Sequence, residues 1–191
     1  MTDLIWSFSP WFVFLLASRL LSLPAAVCLA FAAALAVLAR AATRRHAHML
    51  DVAGPCYFAV LGLALTIAHP AHTEIWSRYA QLGSHLVLTA LIFGSILAGH
   101  PFTEAYARNS TPPELWHTRQ FRNVNRRISA IWGLAFIIGD LSLALAGSVS
   151  SRQVLLRVIV PFGTLYLAYR YTQNQQAKTP RTAASRQQAP T

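Results

Sequence analysis

The sequence has little charge, and very little of that charge is negative. Only 12% of its 191 residues are charged, with six Asp and Glu against sixteen Lys and Arg, while 54% are apolar. A soluble domain carries roughly 25% charged residues, because its surface has to be hydrated. The composition therefore excludes a soluble globular domain and indicates an integral membrane protein.

Cysteine is scarce, and the common catalytic motifs are missing. Cys28 and Cys56 each lie alone in an apolar run, where a thiol acts as a small hydrophobic group. We find no G-x-S-x-G, no H-E-x-x-H, no glycine-rich phosphate loop and no pair of carboxylates. The histidines and glutamate of one loop, His69, His72 and Glu74, lack a fourth zinc ligand. We therefore expect no enzymatic activity, no cofactor and no metal.

Six apolar runs follow one another along the chain, and each approaches the length of about 20 residues that spans a bilayer. They extend over residues 4–21, 25–39, 51–68, 79–99, 128–147 and 154–169. We predict an all-α, polytopic transmembrane helical bundle over residues 1–170. It has five or six spanning helices, because the first run either spans the membrane or only dips into it.

Small residues one helical turn apart predict where these helices pack closely. Two such stripes occur, Ala26, Ala30 and Ala34 in the second run and Gly94, Ser95, Ala98 and Gly99 in the fourth. Pro24 separates the first two runs, which we expect to pair as a helical hairpin.

A basic segment precedes the fifth run. Thr111 stands before two prolines and Glu114, a pattern typical of a helix start. We predict a basic loop helix that begins at Thr111 and continues into the fifth run. Its candidate contacts with a partner or with lipid headgroups are Trp116, Arg119, Arg122, Arg126 and Arg127. The alternative is a basic loop held at the lipid surface without a specific ligand.

Polar residues of the fifth run recur on one side of a helix. At 3.6 residues per turn, one stripe collects Asn125, Ser129, Trp132, Phe136 and Asp140. Because lipid penalises Asn and Asp, we expect this intramembrane polar seam to face the bundle interior. We predict that Arg157 of the sixth run joins the seam by pairing with Asp140. The seam is either structural or lines a transport path in which His85 also takes part.

Positive charge predicts the orientation. Most of the sixteen Lys and Arg residues lie in the loop 40–45, in the segment 108–127 and from residue 170 onward, which six spans place on one side. The positive-inside rule assigns that side to the cytoplasm. The C-terminus is then cytoplasmic, and the positive charge is explained without nucleic acid.

Two polar segments are expected to be solvated. Residues 171–191 have no apolar side chain larger than alanine after Tyr171, and such a segment cannot bury enough surface to fold. We predict a disordered cytoplasmic tail there. His46 and His48 stand among arginines in the first basic loop, and we expect them to be solvated loop residues.

A further set of residues is spread over most of the hydrophobic layout. It consists of Phe8, Pro10 and Phe14 in the first run, and of Pro101, Pro113, Trp116, Asn125, Trp132 and Phe136 in the central part. This pattern resembles the intracellular septation protein A family of bacterial inner-membrane proteins. The resemblance implies a multi-pass protein of the bacterial inner (cytoplasmic) membrane that serves cell-envelope integrity or division through other membrane proteins.

Two functions are therefore considered. The first is a non-enzymatic accessory or scaffold protein whose basic loop contacts membrane lipids or other envelope and division membrane proteins. The second is a small transporter or channel that uses the polar seam. The resemblance carries over no catalytic residue.

Overall fold

The computed structural model describes residues 2–44, 46–67, 73–146 and 154–187, and within these ranges the backbone is helical without strands. The helices are α1 (Thr2–Leu20), α2 (Leu23–Thr43), α3 (Met49–Ile67), α4 (Thr73–Leu97), α5 (Phe102–Arg108), a 3₁₀ turn (Pro113–Leu115), α6 (Arg119–Leu145), a π-helical turn (Leu155–Ile159) and α7 (Val160–Gln187). Each predicted apolar run coincides with one of the long helices, so the all-α class is confirmed.

Four helical segments in the described part of the chain are long and apolar enough to cross a membrane. They are Leu23–Thr43, Met49–Ile67, Tyr79–Leu97 and Arg119–Leu145. The first and sixth predicted runs correspond to α1 and α7. Polar residues interrupt the apolar surface of α1, and α7 becomes polar after its first three turns. These four segments are compatible with an integral membrane protein.

The helices assemble into two compact units. Unit 1 contains residues 1–87 and 105–110, and unit 2 contains residues 88–104 and 111–191. The helices α4 and α5 each contribute residues to both units.

In unit 1, α1 and α2 form the predicted hairpin, and α3 packs against both. Pro24 lies in the first turn of α2, where its missing N–H costs no helical hydrogen bond. Ala26, Ala30 and Ala34 are fully buried. A Cβ atom at Gly54 of α3 would lie only 3.4 Å from the Cβ of Ala34. The alanine stripe is therefore a close-packing face, as predicted.

Aromatic rings fill the core of the same unit. The rings of Trp11 and Phe14 on α1 each pack on Phe58 of α3, with centroids 5.2 Å and 5.3 Å apart. Tyr57 extends this core to α4, because its hydroxyl donates a hydrogen bond to the carbonyl oxygen of Ala80 at 2.6 Å. One face of α3 is thus fixed to two neighbouring helices.

Unit 2 is built on α6 and α7. The indole N–H of Trp132 on α6 donates to the hydroxyl of Thr172 on α7 at 3.0 Å, so this large side chain is buried with its polar atom satisfied. Thr164 of α7 donates to the carbonyl oxygen of Ala135 at 3.2 Å. These two bonds join the helices at two levels along their length.

The small-residue stripe predicted for the fourth run packs only at Ser95, which is buried and accepts a hydrogen bond from the backbone N–H of Phe102 at 3.0 Å. Gly94, Ala98 and Gly99 are exposed, and a Cβ at Gly94 would meet no atom within 4 Å. Gly99 has φ 79°, a left-handed conformation that glycine adopts without strain and that commonly ends helices. The prediction was wrong for Gly94, Ala98 and Gly99, the last two of which lie beyond the end of α4 at Leu97. The close approach of α4 to α6 occurs at Gly133, beside Phe93.

The backbone of α7 is helical as far as Gln187, whereas composition predicts a disordered tail over 171–191. The prediction concerns the behaviour of this segment in solution and stays a prediction. No side chain beyond Gln175 is described.

Candidate functional site

The α-helix of the basic segment begins later than predicted. Pro113–Leu115 form a 3₁₀ turn, and Thr118 is the N-cap of α6, with its hydroxyl accepting from the backbone N–H of Phe121 at 3.2 Å. Thr111 instead offers its carbonyl oxygen to the indole N–H of Trp116 at 2.8 Å. The chain is extended at Pro112, with ψ 141°, so a helix cannot run through from Thr111. The predicted start at Thr111 is therefore wrong.

Four arginines of α6 share one exposed side of the helix, which we call the basic face. They are Arg119, Arg122, Arg126 and Arg127. At 100° per residue they fall within an arc of roughly 140°. Among the described residues, no carboxylate forms an ion pair with any of the four. Trp116, which stands before the helix, is half-buried.

The polar seam lies on a different side of α6, centred roughly 110° around the helix from the basic face. The structure buries Asn125, Ser129, Trp132, Phe136 and Asp140. Near its start, the hydroxyl of Thr103 on α5 donates to the carbonyl oxygen of Asn125 and lies 2.9 Å from the hydroxyl of Ser129. The seam here fastens the start of α5 to α6, which is a structural task.

Deeper in the seam, Asp140 bonds to a residue that sequence reasoning did not consider. Its Oδ2 accepts a hydrogen bond from the hydroxyl of Thr89 on α4 at 2.9 Å. Arg157 is half-buried on the π-helical turn, and no ion pair joins it to Asp140, although both residues are described. The predicted pair is thus replaced by a hydroxyl bond between α4 and α6. The hydroxyl donates a hydrogen bond to the carboxylate without burying a second charge.

Unit 1 contains a polar cluster that sequence reasoning missed. Asp51 on α3 is 3% exposed. One of its carboxylate oxygens accepts from the hydroxyl of Ser7 on α1. The other accepts from the backbone N–H of His48 at 2.8 Å and lies 3.2 Å from the His48 Nδ1. Because an ionised carboxylate only accepts, this arrangement makes Nδ1 the donor.

The same cluster overturns the expectation for His48. Its side chain is only 9% exposed, whereas His46 is exposed as expected. The ring of His48 stacks on that of Tyr106, with centroids 4.1 Å apart. Burial, with the nearby carboxylates of Asp51 and Asp3, raises the pKa of the Tyr106 phenol well above its ordinary value of 10.

At its edge, the cluster passes into an exposed ion-pair network around Asp3. One carboxylate oxygen of Asp3 lies 3.2 Å from Arg44 and 3.9 Å from Arg40, and the other accepts from Asn109 at 3.2 Å. Arg40 also covers the ring of Trp6, 4.6 Å from its centroid. Tyr106 and Asn109 thus attach the segment 105–110 to the rest of unit 1.

The residues of the cluster do not form a nucleophilic triad. In a triad the serine hydroxyl bonds to the imidazole, which is bonded in turn to the carboxylate. Here Ser7 and His48 both bond to Asp51, so the imidazole has no part in activating the serine. Asp51 instead caps α3, because His48 occupies the N-cap and Asp51 the third helical position. The sequence signal for this cap was an acidic residue, Asp51, three positions after His48.

The described residues contain no group of three or more His, Cys, Asp or Glu that could hold a metal ion. His69 and His72, and the side chain of Glu74, lie outside the described residues. Comparison of the chain with protein-family models, with curated proteins and with solved structures finds no match.

Proposed function

We propose that this chain is a non-enzymatic accessory or scaffold protein of the bacterial inner membrane, serving cell-envelope integrity or division. One observation carries the proposal. The helix α6 runs without a break from an exposed face of four arginines into a segment apolar enough to span a membrane. Such a helix presents a strongly basic surface at a set distance from the lipid, where it can contact other molecules.

The orientation follows from the same charges. The positive-inside rule favours the basic face and the C-terminus on the cytoplasmic side. Four segments are long and apolar enough to cross the membrane. In this proposal α1, α7 or both also cross it, which gives five or six spanning helices. The resemblance to the intracellular septation protein A family supports the role in the envelope.

In-cell photo-crosslinking tests the proposal. A crosslinking amino acid replaces Gln120, which is exposed beside the basic face, and a matched variant carries it at Val60, which is 68% exposed on α3. We expect a reproducible envelope protein to be crosslinked from position 120 and not from position 60. Identical crosslinks from both positions, or none from position 120, would contradict the proposal.

A second function, a small transporter or channel, is favoured by one specific observation. Asp140 and Thr89 form a buried polar pair between two segments that each qualify as a span. Ionisable residues inside a membrane often mark transport paths. Proteoliposomes containing the purified chain would show proton or solute flux that disappears in Asp140→Asn. Absence of flux in the unmodified protein leaves the accessory function as the better proposal.

A further inference from the structure

We propose that the basic face of α6 is a binding site for the headgroups of anionic phospholipids. This inference rests on the proposed function only in using the same helix and in placing the chain in a membrane. The occupant is the phosphate-bearing headgroup of a lipid with net negative charge, and the residues that contact it are Arg122, Arg126 and Arg127.

The charges of these arginines are available to an external anion. Among the described carboxylates, Asp51, Glu104 and Asp140 are buried and Asp3 is engaged by Arg40 and Arg44. Glu114 is exposed on the 3₁₀ turn, before α6 begins. An exposed cluster of four arginines without a carboxylate partner repels itself and binds an anionic partner favourably.

The depth of the arginines selects lipid as that partner. The part of α6 without arginines begins at Ile128, and its length to Leu145 is about 27 Å, close to the thickness of the hydrocarbon core. The headgroup layer adds roughly 5–8 Å on each side. For a helix along the membrane normal, Arg127 and Arg126 lie about 1.5 and 3 Å outside the hydrocarbon edge, and therefore within that layer.

The other two arginines lie farther out. Arg122 is about 9 Å from Ile128 along the helix axis, and its long side chain reaches back to the layer. Arg119 is about 13 Å away and acts only through the surface potential, which decays over about 8 Å at physiological salt. An acidic protein surface would have to displace lipid in order to reach Arg126 and Arg127.

The chemistry of arginine fits the same ligand. A guanidinium group donates two parallel hydrogen bonds to phosphate oxygens, whereas a lysine ammonium acts as a point charge. Arg122 and Arg126 stand four residues apart, one above the other on the helix. They can therefore clasp one phosphodiester between them, so a lysine replacement would preserve the charge but lose part of the binding.

Native mass spectrometry of the full chain in detergent tests the inference. The protein is titrated with phosphatidylglycerol and, separately, with phosphatidylcholine of the same acyl chains. We expect tighter binding of phosphatidylglycerol. Arg126→Gln with Arg127→Gln should weaken that binding by about fivefold per arginine, roughly 25-fold together, and leave phosphatidylcholine unchanged. The matched control is Arg40→Gln with Arg44→Gln, which removes two arginines already engaged by Asp3 and should have little effect.

The replacements Arg122→Lys and Arg126→Lys keep the charge. They test the inference independently if the glutamine variant misfolds. They should retain only part of the preference for phosphatidylglycerol. Equal binding of both lipids, or an equal loss in the basic-face and control pairs, would overturn the inference. The inference would also be overturned if the unmodified protein showed no preference for phosphatidylglycerol and Arg126→Gln with Arg127→Gln abolished the protein crosslink from position 120. That result would assign the face to an acidic protein. A lipid preference without a crosslinked partner would support this inference and contradict the proposed function.

Discussion

Asp140 of α6 is held by Thr89 of α4, fifty-one positions earlier in the chain, through a hydroxyl donor 2.9 Å from its Oδ2. This bond joins two apolar helices at a depth where an isolated carboxylate would be costly. It also changes what the polar seam does, because the seam bonds to α4 here and to α5 near its start. Unit 2 is thus held together by polar bonds as well as by apolar packing.

A double-mutant cycle measures this bond. Thr89→Val removes the hydroxyl at constant shape, and Asp140→Leu removes the acceptor. We expect a coupling free energy of about 0.5–1.5 kcal/mol in thermal unfolding in detergent, since buried hydrogen bonds between membrane helices average about 0.6 kcal/mol. The control cycle, Asp140→Leu with Arg157→Gln, should be additive within about 0.5 kcal/mol. Coupling in the control cycle alone would show that the carboxylate pairs with Arg157.

The N-cap of α6 yields a second prediction with its own control. Thr118→Ala removes the side-chain acceptor for the Phe121 N–H and should cost about 1 kcal/mol of local helix stability. Thr111→Ala should cost little, because Thr111 contributes its carbonyl oxygen to Trp116, which alanine also provides. Hydrogen exchange of the Phe121 amide measures both changes. Faster exchange in Thr111→Ala than in Thr118→Ala would contradict the observed helix start.

The buried phenol of Tyr106 predicts a pH dependence. A raised pKa in the folded state means that the folded protein holds this proton more tightly than the unfolded chain does. The resulting stability is fully present below about pH 10 and is lost as the pH rises toward the folded-state pKa. This group lowers the free energy of unfolding by at most about 1.4 kcal/mol per pH unit. Tyr106→Phe should remove that slope in denaturation measured between pH 9 and 11. An unchanged slope would show that the phenol is not buried.

Local sequence patterns predict some features of this fold and not others. The apolar runs and the alanine stripe of α2 depend on local length and spacing, and these helices lie where the pattern predicts them. The N-cap depends on a choice between Thr111 and Thr118, which are both suitable residues, and the backbone at Pro112 decides it. Residue type alone could not make that choice.

The polar contacts depend on distances along the chain that no local pattern encodes. Ser7 meets Asp51 across 44 positions, and Thr89 meets Asp140 across 51. Sequence reasoning paired Asp140 with Arg157 because the two lie on consecutive helices and attract each other. A hydroxyl can also donate a hydrogen bond to a carboxylate, so charge complementarity did not identify Thr89 as the partner.

The close approach of α4 to α6 gives the last prediction. A Cβ at Gly133 would lie 2.7 Å and 2.8 Å from ring carbons of Phe93 and 3.2 Å from a methyl carbon of Ile92. Gly133→Ala therefore forces the ring or the helix to move, and overpacking of this kind costs roughly 1–3 kcal/mol. The control is Gly94→Ala on α4, where the added Cβ meets nothing within 4 Å and the higher helix propensity of alanine should raise stability by up to about 1 kcal/mol. Thermal unfolding of the two variants in the same detergent should thus shift in opposite directions. If Gly133→Ala were as stable as Gly94→Ala, the two helices would not approach each other at Gly133.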